Sequence, residues 1–143
     1  MKLTRLQTFN AMAMLFDIYY LETLSDDLGG ILGSMSFLSD HSTADSAMWE
    51  VWNENLNKIL DKKNIKNQNQ IKPLHAFLAI KLFLEYFFET EYLSKEILFF
   101  INNINLAYDQ KQIDPFLLRN WSKCIHNVLL IKDSRDYLNI FES

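Results

Sequence analysis

Three glycines and two prolines in 143 residues leave this chain few places at which a helix must stop. A β-sandwich or barrel of this length would carry a turn signal about every ten residues, and such signals are missing. Hydrophobic residues make up 49% of the sequence and aromatics 14%, which is too rich for disorder and enough for one core. The expected fold is all-α: a compact bundle of about six or seven helices, forming a single domain over residues 1–143.

Periodicity and caps place the helices. Leu6, Phe9, Ala13, Phe16 and Tyr20 recur every three or four residues over 3–23, and Thr4 with Gln7 has capping-box spacing. Tyr19 and Leu21 widen that face, so burial on more than one side is expected. Ser25-Asp26-Asp27 reads as a second helix start, a serine cap with two acids in the first turn. Gly29 and Gly30 follow, each costing about 1 kcal/mol relative to alanine in a helix, which points to close helix–helix approach or a bend. The apolar run then continues to Ser39-Asp40. A third helix is expected from Ala44 or Asp45 to Asp61, with Met48, Val51, Trp52, Leu56, Ile59 and Leu60 as its stripe and Asn55 as a polar interruption. Residues 62–72, rich in Lys, Asn and Gln, read as a linker or solvated loop. Pro73 opens a helix to about Thr90, Ser94 caps one to about Leu106, and Asp114-Pro115 opens one to about Ile131. A last short helix is expected near 134–141. No repeat of 20–50 residues is visible.

The apolar stretches 74–88 and 97–106 are interrupted by Lys81 and Glu85 and by Asn102, Asn103 and Asn105. Both fall short of the ~20 residues a spanning helix needs. The N-terminal pattern carries Gln7, Asn10 and Asp17 where a signal peptide would be continuously apolar. A single cysteine, Cys124, excludes an internal disulfide framework and fits a reducing compartment. A cytoplasmic protein without membrane contact is expected.

Net charge is −4, but it is unevenly spread. The 52 residues from Leu6 to Asn57 contain no Lys or Arg and eight acids: Asp17, Glu22, Asp26, Asp27, Asp40, Asp45, Glu50 and Glu54. Such a stretch is either a solvated acidic face or a surface complementary to a basic partner. Nucleic acid is disfavoured, since the field repels phosphates.

Chemistry-bearing motifs are scarce. There is no HExxH, CxxC, nucleophile elbow or phosphate loop. Gly29-Gly30 with Gly33 follows a helix rather than the strand a dinucleotide signature requires. Asp26, Asp27, Asp40, His41 and Asp45 lack the short regular spacing of a hard-cation loop, and helix capping explains them more simply. Cys124 reads as a small core residue, and His126 two positions on cannot share its helix face. No enzyme, cofactor or metal site is expected. Trp49 and Trp52 are neighbours on one helix: Trp52 suits the core, while Trp49 suits either the core or a partner surface, where tryptophan anchors binding.

The segment Tyr19-Tyr20-x-x-Thr23-x-Ser25-Asp26-Asp27-Leu28-Gly29-Gly30-Ile31-Leu32-Gly33-Ser34-Met35, followed by Asp40 and Thr43-Ala44-Asp45-x-Ala47-Met48-Trp49-x-x-Trp52, resembles small immunity proteins of bacterial contact-dependent growth inhibition and related polymorphic toxin systems. The resemblance covers about residues 6–56. It implies a cytoplasmic inhibitor that binds a cognate toxin C-terminal domain, often a basic nuclease, and blocks its active site or substrate approach. The charge count, rather than the family, nominates Asp26, Asp27, Asp40, Asp45 and Glu50 as contact residues, with Trp49 beside them as the aromatic anchor. The alternatives are a helical adaptor or homodimeric regulator, and a metal-dependent enzyme using Asp26, Asp27, Asp40 and Asp45.

Overall fold

The computed structural model describes residues 1–37, 42–88, 93–109 and 111–130. Six helices are present among them: α1 (Arg5–Thr23), α2 (Asp26–Met35), α3 (Ser46–Lys62), α4 (Pro73–Phe87), α5 (Lys95–Tyr108) and α6 (Pro115–Leu130). The all-α bundle is therefore as expected. The helix expected near 134–141 lies outside the described residues.

Local chemistry sets the helix ends. Thr4 and Gln7 form the reciprocal capping box, Ser25 and Ser94 cap α2 and α5, and Asp45 caps α3. Asp114 Oδ1 accepts from the N–H groups of Phe116 and Leu117 at 2.8 and 3.2 Å, fixing the start of α6. Helix α2 stops at Met35, short of the apolar run's end at Ser39. Phe37 instead forms an isolated antiparallel bridge with Thr43, folding the chain back toward α3.

Helix α1 is the axis of the bundle. Nine consecutive residues, Thr8 to Phe16, are buried, so its first half is enclosed on all sides. It packs along α6 and α2 and touches α3 and α4, while α3 lies along α4 and α4 along α5. The close approach expected at α2 occurs at Gly29, where an added Cβ would sit 3.0 Å from the Tyr20 ring. Aromatic edge-to-face contacts tie the layers together, Phe16 to Phe100 at 5.4 Å and Trp52 to Phe83 at 5.8 Å.

Buried polar groups mostly find partners. Trp52 Nε1 donates to Thr8 Oγ1 at 3.1 Å, Asn55 Nδ2 to the Val51 carbonyl, and Trp121 Nε1 to the Pro73 carbonyl. Asn103 holds α6 in place by accepting from the Asp114 N–H at 2.8 Å. Among the described residues the exception is Asn10 Oδ1, buried on α1 without a partner.

Beyond the end of α3 at Lys62, residues 63–72 form a mostly exposed loop, as expected, but one that is anchored to the bundle. Leu3 and Ile71 exchange both backbone hydrogen bonds, at 2.8 and 2.7 Å, and both side chains are fully buried. Arg5 secures the same segment: Nε donates to the Gln68 carbonyl at 2.9 Å, while the two terminal nitrogens reach Asn53 Oδ1 and Asn57 Oδ1 at 2.9 and 2.6 Å. One guanidinium thus clamps α1, α3 and the loop, using the planar fork that lysine lacks. Among the described residues, no helix is long and apolar enough to cross a membrane.

Candidate partner interface

The N-caps of α2 and α3 carry the nominated acids. Ser25 Oγ accepts from the Leu28 N–H, which leaves the carboxylates of Asp26 and Asp27 free in the first turn. Asp26 is exposed and Asp27 half-buried. Asp45 is exposed, and its Oδ1 accepts from the Ala47 N–H at 3.0 Å. Its backbone is fixed on both sides: the N–H donates to the Ser34 carbonyl at 3.0 Å, and the carbonyl accepts from the Thr43 hydroxyl and the Met48 N–H.

These contacts divide the acids into two groups. Asp45 is tied to Ser34 near the end of α2, whereas Asp26 and Asp27 begin that helix. Eight residues at 1.5 Å per residue separate the two ends by about 12 Å. The face between them carries Gly30 and Gly33, both exposed, with nothing within 4 Å of an added Cβ. Asp26, Gly30 and Gly33 follow i, i+4, i+7 spacing, so a strip of bare helix backbone runs from one acidic end toward the other.

Trp49 and Glu50 lie with Asp45 at the second end. Trp49 is half-buried, its ring edge-on to Phe9 at 5.5 Å, and Phe9 in turn meets Phe37 at 5.7 Å. Beside it opens a cleft of about 330 Å³ lined by Leu6, Phe37, Ser42, Thr43, Ser46, Trp49 and Glu50. Glu50 is exposed at its edge, and Glu54 is exposed one turn further along α3. The arrangement suits an inserted side chain: an aromatic wall, small hydroxyls and a carboxylate at the mouth. Nothing in the sequence announced the cleft, because the 37–43 bridge that shapes it joins residues with no shared periodicity. Asp40 and His41 lie outside the described residues.

Arg5 and Lys58 border the acidic stretch in sequence, and the Arg5 guanidinium donates to three neutral oxygens rather than to a carboxylate. Elsewhere, burial pushes the Cys124 thiol up to about 12 and keeps it protonated at neutral pH, so it serves as core. Among the described residues, no three His, Cys, Asp or Glu side chains come together to hold a metal ion.

No family model, curated protein or solved structure matches this chain.

Proposed function

We propose that the protein is an immunity protein that binds and neutralises a cognate toxin domain, a basic nuclease, by covering its active site or its substrate approach. The observation that carries this reading is the stretch from Leu6 to Asn57, with eight acids and no base, which exposes Asp45 and Glu50 around the Trp49 cleft. Opposed potentials accelerate encounter and reject wrong partners, and a half-buried tryptophan supplies anchoring area at low entropic cost. The bare strip along α2 lets a partner's backbone approach closely between the two acidic ends. The resemblance of residues 6–56 to immunity proteins supports the same reading, with the cytoplasm as the place of action.

The decisive experiment is co-purification with the toxin C-terminal domain encoded beside its gene. A stable complex and loss of toxin activity are expected; no association at micromolar concentration ends the proposal. Within a complex, Asp45→Lys with Glu50→Lys should slow association roughly tenfold at low salt and flatten its salt dependence. Unchanged association kinetics would exclude the Trp49 end of the surface.

A further inference from the structure

The cleft beside Trp49, about 330 Å³, sits at the small end of ligand pockets, which run from about 300 to 1,000 Å³. It has room for one long side chain rather than a cofactor. Its aromatic wall is fixed. Trp49 stands at 78° to the fully buried Phe9 ring, and Phe9 is tilted at 60° to Phe37. The Trp49 carbonyl accepts from Asn53 Nδ2 at 2.9 Å, and Asn53 Oδ1 in turn accepts from Arg5. The remaining lining comes mostly from the turn before α3. That turn is locked where the Ala44 N–H donates to the Ser36 carbonyl at 2.7 Å and the Thr43 hydroxyl donates to the Asp45 carbonyl. A slot formed in advance loses little entropy on receiving a side chain.

Charge decides which side chain fits. Glu50 is exposed at the mouth, and no ion pair or hydrogen bond engages its carboxylate among the described residues. No Lys or Arg lines the cleft among those residues, and Asp45 stands exposed at the adjoining N-cap. An inserted carboxylate would face two like charges, and an inserted apolar chain would cover Glu50 without pairing it. The positive end of the α3 dipole opposes a cation, but it amounts to about half a charge against the full charges of Asp45 and Glu50. Between the two cationic side chains, arginine fits better than lysine. Its flat guanidinium stacks on an indole and forks onto a carboxylate, while an ammonium is compact and strongly hydrated. A further acceptor lies in the buried Thr43 hydroxyl, whose own proton is already committed to the Asp45 carbonyl.

We propose that the Trp49 cleft is the receptor for one arginine side chain of the partner, its guanidinium held between the Trp49 ring and the Glu50 carboxylate. This rests on the reading of the protein as a binder of a basic toxin domain. It sharpens that reading from a general attraction between opposed charges to one anchored contact. Tryptophan and arginine are among the residues that most often carry the energy of an interface.

The test titrates the full chain alone with Nα-acetylarginine amide, at ionic strength held constant with sodium chloride, and follows the tryptophan indole N–H signals by NMR. Trp52 and Trp121 are buried with their Nε1–H groups bonded to Thr8 and Pro73, so they serve as internal controls. The expected result is a saturating shift at Trp49 alone, with a dissociation constant of about 1–10 mM, the scale of one side chain cut from an interface. The neutral isostere Nα-acetylcitrulline amide should bind roughly tenfold more weakly, and the lysine counterpart roughly threefold more weakly. Glu50→Gln, at an exposed position that leaves the fold intact, should weaken arginine binding roughly threefold. Equal binding of the citrulline compound, the absence of a saturable shift, or an affinity indifferent to Glu50→Gln overturns the proposal. Equal binding of the lysine compound overturns the choice of guanidinium. The probe needs no toxin, so the two readings fail separately. A saturating shift without toxin association removes the immunity function and leaves a guanidinium site, whereas a toxin complex without a probe shift removes the arginine receptor alone.

Discussion

The three glycines of α2 make a controlled experiment on what surrounds that helix. Alanine is favoured over glycine within a helix by about 1 kcal/mol, through lower backbone entropy in the unfolded chain. At Gly30 and Gly33 a new methyl group meets open space, so the whole of that preference should appear as stability. At Gly29 the methyl carbon would lie 3.0 Å from Tyr20 Cε2 and 3.5 and 3.6 Å from two further ring atoms. The half-buried ring must give way there, which offsets the gain. Gly30→Ala and Gly33→Ala should therefore each raise the melting temperature by about 3 °C for a chain of this size. Their side chains do not touch another element, so the pair should add to about 2 kcal/mol. Gly29→Ala should gain nothing or lose stability. Thermal and urea melts followed by helical circular dichroism measure all four variants. Destabilisation by Gly30→Ala or Gly33→Ala would show that this face of α2 is covered, contrary to the packing described. If both are stabilising yet weaken a toxin complex, the bare strip is part of the binding surface.

Arg5→Lys should cost about 2–3 kcal/mol, because an ammonium cannot serve three oxygens on three segments at once; a loss below about 0.5 kcal/mol in urea melts would show that the clamp is decorative. Asn10→Leu should raise stability by about 1 kcal/mol, since it removes a buried oxygen without a partner; a lower midpoint in the same assay would mean that the oxygen is satisfied. The folded-state pKa of His75 is lowered, by burial first and then by Lys72, Lys63 and Lys2, from an ordinary 6.5. The unfolded chain therefore takes up the proton more readily, and stability present above about pH 6.5 should decline as pH falls through the folded value. Melts across that range should lose part of this slope in His75→Gln, and an identical slope would refute the assignment.

Helix starts were readable because capping is decided within four residues. Thr4 with Gln7, Ser25 ahead of Asp26 and Asp27, and Asp114 ahead of Pro115 each meet their own backbone N–H groups, and no distant contact can easily overrule that. The anchoring of residues 62–72 is not legible in the sequence, for the opposite reason. Their composition is that of a loop, and what orders them is Leu3 and Arg5, more than 60 positions earlier in the chain. The acidic stretch was visible as a count, but its division into two ends depends on where α2 stops and how the Phe37–Thr43 bridge turns the chain. Trp49 had two open readings, and the structure puts it between them: half-buried against Phe9 and lining a cleft.

The enclosure of α1 has a consequence for how the protein is made. Helix α1 leaves the ribosome first, yet it packs along α6, which ends more than 100 residues later. At about 5–20 residues per second, its partner arrives roughly 5–20 s after it does. For that interval its enclosed first half has only α2 and then α3, α4 and α5 to shelter it. Slowed translation or a truncated message should therefore leave a chain that aggregates or is held by chaperones, and a nascent chain stalled before residue 115 should remain sensitive to protease within 8–16.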